Sequence, residues 1–190
     1  GLPLTADVSI NSLHLTDMDI GYFNSALRLV PPVRQQRDRE ALQAALADGT
    51  IDALVSDHTP VDADEKTLPF AEATPGATGL ELLLGLALLW GEQRGLALPA
   101  TLARITSEPA RVLSGAIGTL SASAGRLVEG GVADICLFDP QARWQVSDAT
   151  LVSQGKHTPF AFATSGFEMM GRVRTTLVAG SVAYEAAPLK

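Results

Sequence analysis

The sequence is short of cysteine, aromatic residues, histidine and positive charge, and each shortage removes a class of protein. One cysteine, Cys136, in 190 residues excludes an internal disulfide framework and any cysteine-rich zinc finger. It fits a reducing compartment, and the expectation is a cytoplasmic protein. Aromatics make up 5% of the chain, so the core must be built mainly from Leu, Val, Ile and Ala. Fourteen Lys and Arg against 21 Asp and Glu give a formal net charge of −7. Nucleic-acid readers carry a basic excess, so no nucleic-acid partner is expected. The longest apolar run, 82–90, is roughly half of the ~20 residues that span a bilayer, so no membrane segment is expected. No secretory signal opens the sequence.

What is present is a globular composition: 46% apolar and 18% charged residues, enough to build a core and too apolar for a disordered chain. The opening Gly1-Leu2-Pro3-Leu4 runs within a few residues into a strand-like stretch. The expectation is that the chain is the C-terminal part of something longer.

Residues 8–15 read as a strand, with apolar Val8, Ile10 and Leu13. A short apolar run at 27–30 is stopped by Pro31-Pro32, which removes two ladder donors and marks a strand end. Residues 35–48 read as a helix, with Ala41, Leu42, Ala45 and Leu46 at helical spacing and Gly49 as its stop. Residues 51–56 have the pattern of a strand buried on both faces. A polar loop follows over 57–77, long enough to suggest function. Thr78 and Glu81 have the spacing of a capping box before a helix at 79–94. Two short helices are expected at 99–105 and 108–113, the second capped by Ser107. After Gly118 the pattern changes to short strands at 126–128, 133–138, 143–146, 172–178 and 181–184. The reading is therefore α/β over residues 1–118 and mostly β over 119–190. Three parallel strands make a poor sheet with open edges, which implies missing partner strands or association, and a homo-oligomer is expected.

The richest chemistry lies in Ser56-Asp57-His58-Thr59-Pro60. Asp57 and His58 fall where a buried parallel strand meets its following loop, the end that carries active sites in α/β barrels. An aspartate there can ligate a metal or act as a general base; equally, Asp57 can cap the loop and His58 can pack locally. A hydrolytic metal site needs several converging ligands. With three histidines, His14, His58 and His157, and no His-x-His, the chain holds no complete set. Thr74-Pro75-Gly76-Ala77-Thr78-Gly79 leads into a helix and reads as a loop-to-helix entry or as an anion cradle. Arg34, Arg37 and Arg39 alternate with Asp38 and Glu40, the pattern of a solvated face. Cys136 reads as a small buried strand residue rather than a nucleophile.

Several segments in order resemble one family. They are His14-Leu15-Thr16-Asp17, Pro31-Pro32-Val33-Arg34, Asp48-Gly49-Thr50-Ile51-Asp52, Ser56-Asp57-His58-Thr59-Pro60 and Pro75-Gly76-Ala77-Thr78-Gly79-Leu80-Glu81. Glu65-Lys66, Gly130-Gly131-Val132-Ala133-Asp134 and Gly155-Lys156-His157-Thr158-Pro159-Phe160 continue the series. Together they resemble the C-terminal half of a dihydroorotase, of the amidohydrolase superfamily. The resemblance implies a (β/α)8 barrel of the TIM type, with about strands six to eight in residues 1–118, and most of a small β-sandwich in 119–190. It implies pyrimidine biosynthesis, and a zinc-activated water that interconverts dihydroorotate and carbamoyl aspartate.

Carried over by position, Asp57 matches the family's catalytic aspartate, and Pro75-Gly76 matches a loop whose backbone helps to hold substrate. Other positions depart from the family. Asn11 and Ser12 stand where a His-His pair supplies a zinc ligand, with His14 two residues on as a doubtful substitute. Val30 replaces a substrate-binding Asn, and Val61 replaces a His that binds the substrate carboxylate. The implied protein is a catalytically impaired homologue that binds no zinc through this chain. It resembles dihydroorotase-like subunits that partner aspartate transcarbamoylase. The rival expectation is an active zinc-dependent dihydroorotase when full length.

Overall fold

Two short strands, β1 (Asp7–Ser9) and β2 (Ala53–Val55), run parallel and pair directly, Val8 opposite Leu54. The structure, a computed structural model, describes residues 3–161 and 167–186. Gly1-Leu2 therefore lies outside the described residues, as does part of the 119–190 region. Between the strands runs α2 (Gln36–Asp48), ended by Gly49 in the left-handed conformation at φ +88°. Leu46 on α2 is fully buried, and Leu42 and Ala45 pack against the core beside it.

The strand expected over 8–15 stops early. Ser9 turns the chain into a helix, α1 (Ile10–His14), and its hydroxyl caps that helix by accepting the Asn11 N–H at 3.1 Å. Ile10 and Leu13 are three residues apart, helical spacing, and both are fully buried. The run 27–30 is not a strand either. It begins at the end of a single 3-10 turn (Ser25–Leu27). Among the described residues the parallel part thus has two strands rather than three.

After β2 the long loop holds one short 3-10 turn (Asp64–Lys66). A further 3-10 turn (Leu80–Leu82) leads into α3 (Leu83–Gln93). Thr78 and Glu81 form no capping box. Thr78 Oγ1 donates to the Gly155 carbonyl at 2.6 Å, and the Glu81 carboxylate accepts the N–H groups of Val152 and Ser153, both at 2.8 Å. Long-range partners outcompete the local cap and bind the C-terminal segment to this loop. The short helices α4 (Leu98–Ala103) and α5 (Ser107–Leu113) follow. Thr106, not Ser107, is at the N-cap of α5, and it makes no side-chain capping bond.

The C-terminal part is one antiparallel sheet in the order β3 (Ile135–Gln145), β4 (Glu168–Val178), β5 (Ser181–Glu185). The strands expected at 133–138 and 143–146 are one strand, bulged between Asp139 and Arg143 where Pro140 cannot donate to the ladder. Ala179 and Gly180 both have positive φ, +49° and +81°, as a tight two-residue hairpin turn requires. Residues 126–128 form no strand. Cys136 is exposed on β3 rather than buried; partial desolvation raises its thiol pKa, which keeps it a poor nucleophile.

One hydrophobic core runs through both parts. Ile10, Leu82, Leu86 and Trp90 share it with Val146, Phe160 and Met169. Helix α3 lies on β4, close enough that a side chain at Gly85 would stand 2.9 Å from the Met170 carbonyl oxygen. No helix among the described residues is long and apolar enough to cross a membrane.

Candidate functional site

Asp57 sits two residues beyond β2, where the parallel strands open into their loops. Its backbone is left-handed, φ +49°, a region that Asp tolerates better than most side chains. Ser9, the last residue of β1, donates its hydroxyl to Asp57 Oδ2 at 2.9 Å. The Ser9 hydroxyl oxygen in turn accepts the Asn11 N–H. One hydroxyl thus uses its proton on Asp57 and a lone pair on α1, fixing the aspartate against the neighbouring strand. Sequence reasoning passed over Ser9. Its signal was a Ser directly before the Ile10/Leu13 pair, the signature of a helix N-cap.

Asn11 is buried and Ser12 half-buried, both on the helix that Ser9 caps. His14 closes that helix and faces the core. Its Nε2 lies 3.0 Å from the Leu86 carbonyl, so Nε2 carries the proton and donates. Its ring meets Phe160 edge-on, with centroids 6.3 Å apart. Burial pushes its pKa down to about 4, because a charged imidazolium there would lose its water. The Leu86 carbonyl works against that shift and Arg39 adds to it. His14 is a core histidine and not a stand-in ligand.

His58 is also occupied. Its Nδ1 accepts the N–H groups of Gly79 and Leu80 at 3.1 and 3.2 Å. It caps the turn before α3, a local structural role. Gly79 itself has no room for a side chain: a Cβ would stand 2.3 Å from the Ser56 carbonyl oxygen.

Gly76 donates its N–H to the Arg28 carbonyl at 2.9 Å. Its φ of +140°, and the Thr59 oxygen 2.5 Å from a would-be Cβ, make glycine obligatory there. That N–H is therefore spent inside the fold. Pro75 beside it is half-buried. Val61 is 6% exposed and packs toward the same glycine, so an apolar side chain fills that space. Val30 is 67% exposed.

The donor set does not suit zinc. Asp57 is an anionic ligand, but among the described residues no three His, Cys, Asp or Glu side chains converge. Asn11 and Ser12 offer neutral oxygens, to which zinc binds poorly compared with imidazole or carboxylate.

The sequence marks Lys66 only as part of the Glu65-Lys66 motif, and the structure gives it a firmer place. It is 4% exposed, and its ammonium donates to the carbonyls of Ser25 at 3.1 Å and Arg28 at 3.2 Å. Burial, then the nearby Arg28 charge, lowers its pKa to about 8. It stitches the loop after α1 to the loop after β2.

This fold matches that of solved hydantoinases. The D-hydantoinase (dihydropyrimidinase) from Thermus sp. superposes with a TM-score of 0.83 at 26% identity, over 97% of this chain and 40% of that one. The L-hydantoinase (dihydropyrimidinase) from Arthrobacter aurescens gives 0.83 at 26% identity, over 98% and 40%. The architecture is that of the amidohydrolase superfamily.

Sequence relatives narrow the class. A dihydroorotase-like protein of Pseudomonas aeruginosa is 41% identical over 185 residues, 97% of this chain and 41% of the relative. A dihydroorotase of Citrifermentans bemidjiense is 37% identical over 186 residues, 98% and 41%. The chain belongs to the dihydroorotase family, and it spans about two fifths of the length of the curated relatives it matches. No family model matches it.

Proposed function

We propose that the full-length protein is a catalytically impaired member of the dihydroorotase family that serves as a structural partner of aspartate transcarbamoylase in pyrimidine biosynthesis. In this reading the chain supplies the C-terminal part of a (β/α)8 barrel, with β1 and β2 as two of its strands, and β3–β5 belong to a small β-sandwich. The protein works in the cytoplasm.

The observation that carries the reading is the pair Asn11 and Ser12, set on a helix capped by the same hydroxyl that holds Asp57. In the family, by resemblance, a histidine pair stands there and brings one ligand to zinc. Val61 and Val30 weaken the substrate side as well. Each polar contact replaced by an apolar group costs ~1–3 kcal/mol of binding, more where the substrate group is charged.

Retained Asp57 favours the second reading, a working zinc-dependent dihydroorotase that hydrolyses a cyclic amide. The two readings part on the full-length wild-type protein supplied with zinc, which hydrolyses no dihydroorotate in the first and turns it over in the second. One variant then tests whether the site is lost on several counts. In the full-length protein, Asn11→His with Ser12→His restores the imidazoles but not the contacts at positions 30 and 61. The expected result is no dihydroorotate hydrolysis with zinc supplied. Measurable turnover in that variant would show that the metal ligand alone was missing, and would remove the case for a site lost on several counts.

A further inference from the structure

We infer that Asp57 serves this protein as a hydrogen-bond acceptor that sets the Ser9 hydroxyl and, through it, the start of α1. That duty needs an oxygen at this place and neither charge nor basicity. The inference deepens the impaired-homologue reading above, and rests on it for the absence of a chemical duty at Asp57.

A serine that caps an exposed helix can turn its proton to water. Ser9 is 9% exposed and ends a strand paired with β2, where it stands opposite Val55. A hydroxyl in such a place needs an acceptor inside the fold, because an unpaired buried donor costs free energy. Asp57 Oδ2, 2.9 Å away, is that acceptor. With the proton directed there, a lone pair of the same hydroxyl is left for the Asn11 N–H at 3.1 Å.

Helix α1 depends on that arrangement. It is five residues long with no acidic side chain in its first turn, too short to form by propensity alone. Side chains of α2 hold its C-terminal end. Gln43 Nε2 donates to the Leu13 carbonyl at 2.9 Å, and Arg39 Nη1 donates to the His14 carbonyl at 3.3 Å. Its N-terminal end has the Ser9 cap. Ile10 and Leu13 are fully buried, so fraying at that end pulls on side chains of the core.

The backbone points the same way. Asp57 has φ +49°, and after glycine it is Asp and Asn that accept such a conformation most readily. Asparagine would meet both demands, the left-handed backbone and the oxygen for Ser9, while carrying neither a negative charge nor a basic site. A general base or an anionic metal ligand has the opposite requirement. Asp57→Asn therefore separates the two duties.

The test is hydrogen exchange at the Asn11 amide in the full-length protein, with the amides of α3 as the reference. Asp57→Asn should leave Asn11 protection within about twofold of wild type. Asp57→Gly suits the backbone but has no acceptor, and should lower that protection about tenfold with α3 unchanged. Ser9→Ala should give the same loss, and the two substitutions together no more than either alone. Ser9→Thr keeps the hydroxyl and should match wild type. An Asp57→Asn protein as poorly protected as Asp57→Gly, or an Asp57→Gly protein like wild type, would overturn the inference and leave the impaired-homologue reading intact. Dihydroorotate hydrolysis by wild type that Asp57→Asn abolishes would overturn that reading, and with it the claim that Asp57 has no chemical duty.

Discussion

Acidification should unfold this protein partly through one buried imidazole. His14 is held neutral in the core, its pKa lowered to about 4 from an ordinary 6.5 by burial. In the unfolded chain the same ring regains its ordinary pKa, so the unfolded state takes up the proton first. Stability from this group is therefore complete above pH 6.5. It falls as the pH drops toward 4 and is constant below that. At pH 5 the loss is about 2 kcal/mol, at roughly 1.4 kcal/mol per pH unit over the window. The perturbation is His14→Leu, which keeps an apolar core contact but removes the imidazole's hydrogen bond to the Leu86 carbonyl, at a cost of ~1 kcal/mol. The assay is urea unfolding of both proteins at pH 7.5 and pH 5. Wild type should lose about 2 kcal/mol more than the variant across that interval, so the variant becomes the relatively more acid-tolerant protein. Equal losses in the two proteins would mean that His14 is not the buried neutral group described, and the reasoning would fail.

Two further perturbations probe the loop that carries Gly76. Gly76→Ala forces a Cβ against the Thr59 carbonyl at a positive φ and should cost ~2–3 kcal/mol in urea unfolding; a neutral substitution would contradict the packing described. Lys66→Met should take one of two donors from each of the Ser25 and Arg28 carbonyls, which keep only the backbone N–H groups of Arg28 and Gly76. The expected signature is faster amide hydrogen exchange at Leu27 and Arg28, whose N–H groups close the adjacent turn, with α3 unaffected.

The comparison of sequence with structure divides by interaction range. Helix α2 was legible almost to its ends, because Leu42, Ala45 and Leu46 repeat at helical spacing and Gly49 ends it in the left-handed conformation that glycine favours. The hairpin at Ala179-Gly180 was legible for a similar local reason. Residues 10–14 were not, because apolar Val8, Ile10 and Leu13 fit a strand nearly as well as a helix. The deciding residue was Ser9, whose hydroxyl serves both the helix and Asp57. Thr78 and Glu81 misled in the opposite direction. Their local spacing is that of a cap, but their partners are some seventy residues away, at Val152, Ser153 and Gly155.

At the site, the place of Asp57 was legible from the buried strand before it. The fates of His14 and His58 were not, because a histidine in a sequence does not reveal whether its nitrogens are taken. Here Leu86 takes Nε2 of His14, and Gly79 and Leu80 share Nδ1 of His58. Lys66 was invisible for the same reason. Nothing local marks a lysine whose ammonium ends on carbonyls of another loop.

The central claim is that the family's metal site is dismantled at Asn11 and Ser12. Zinc content per chain of the full-length protein, by elemental analysis after dialysis without chelator, tests it most directly. The account predicts essentially no bound zinc. One or two equivalents per chain would contradict it and bring the active dihydroorotase reading back to the front.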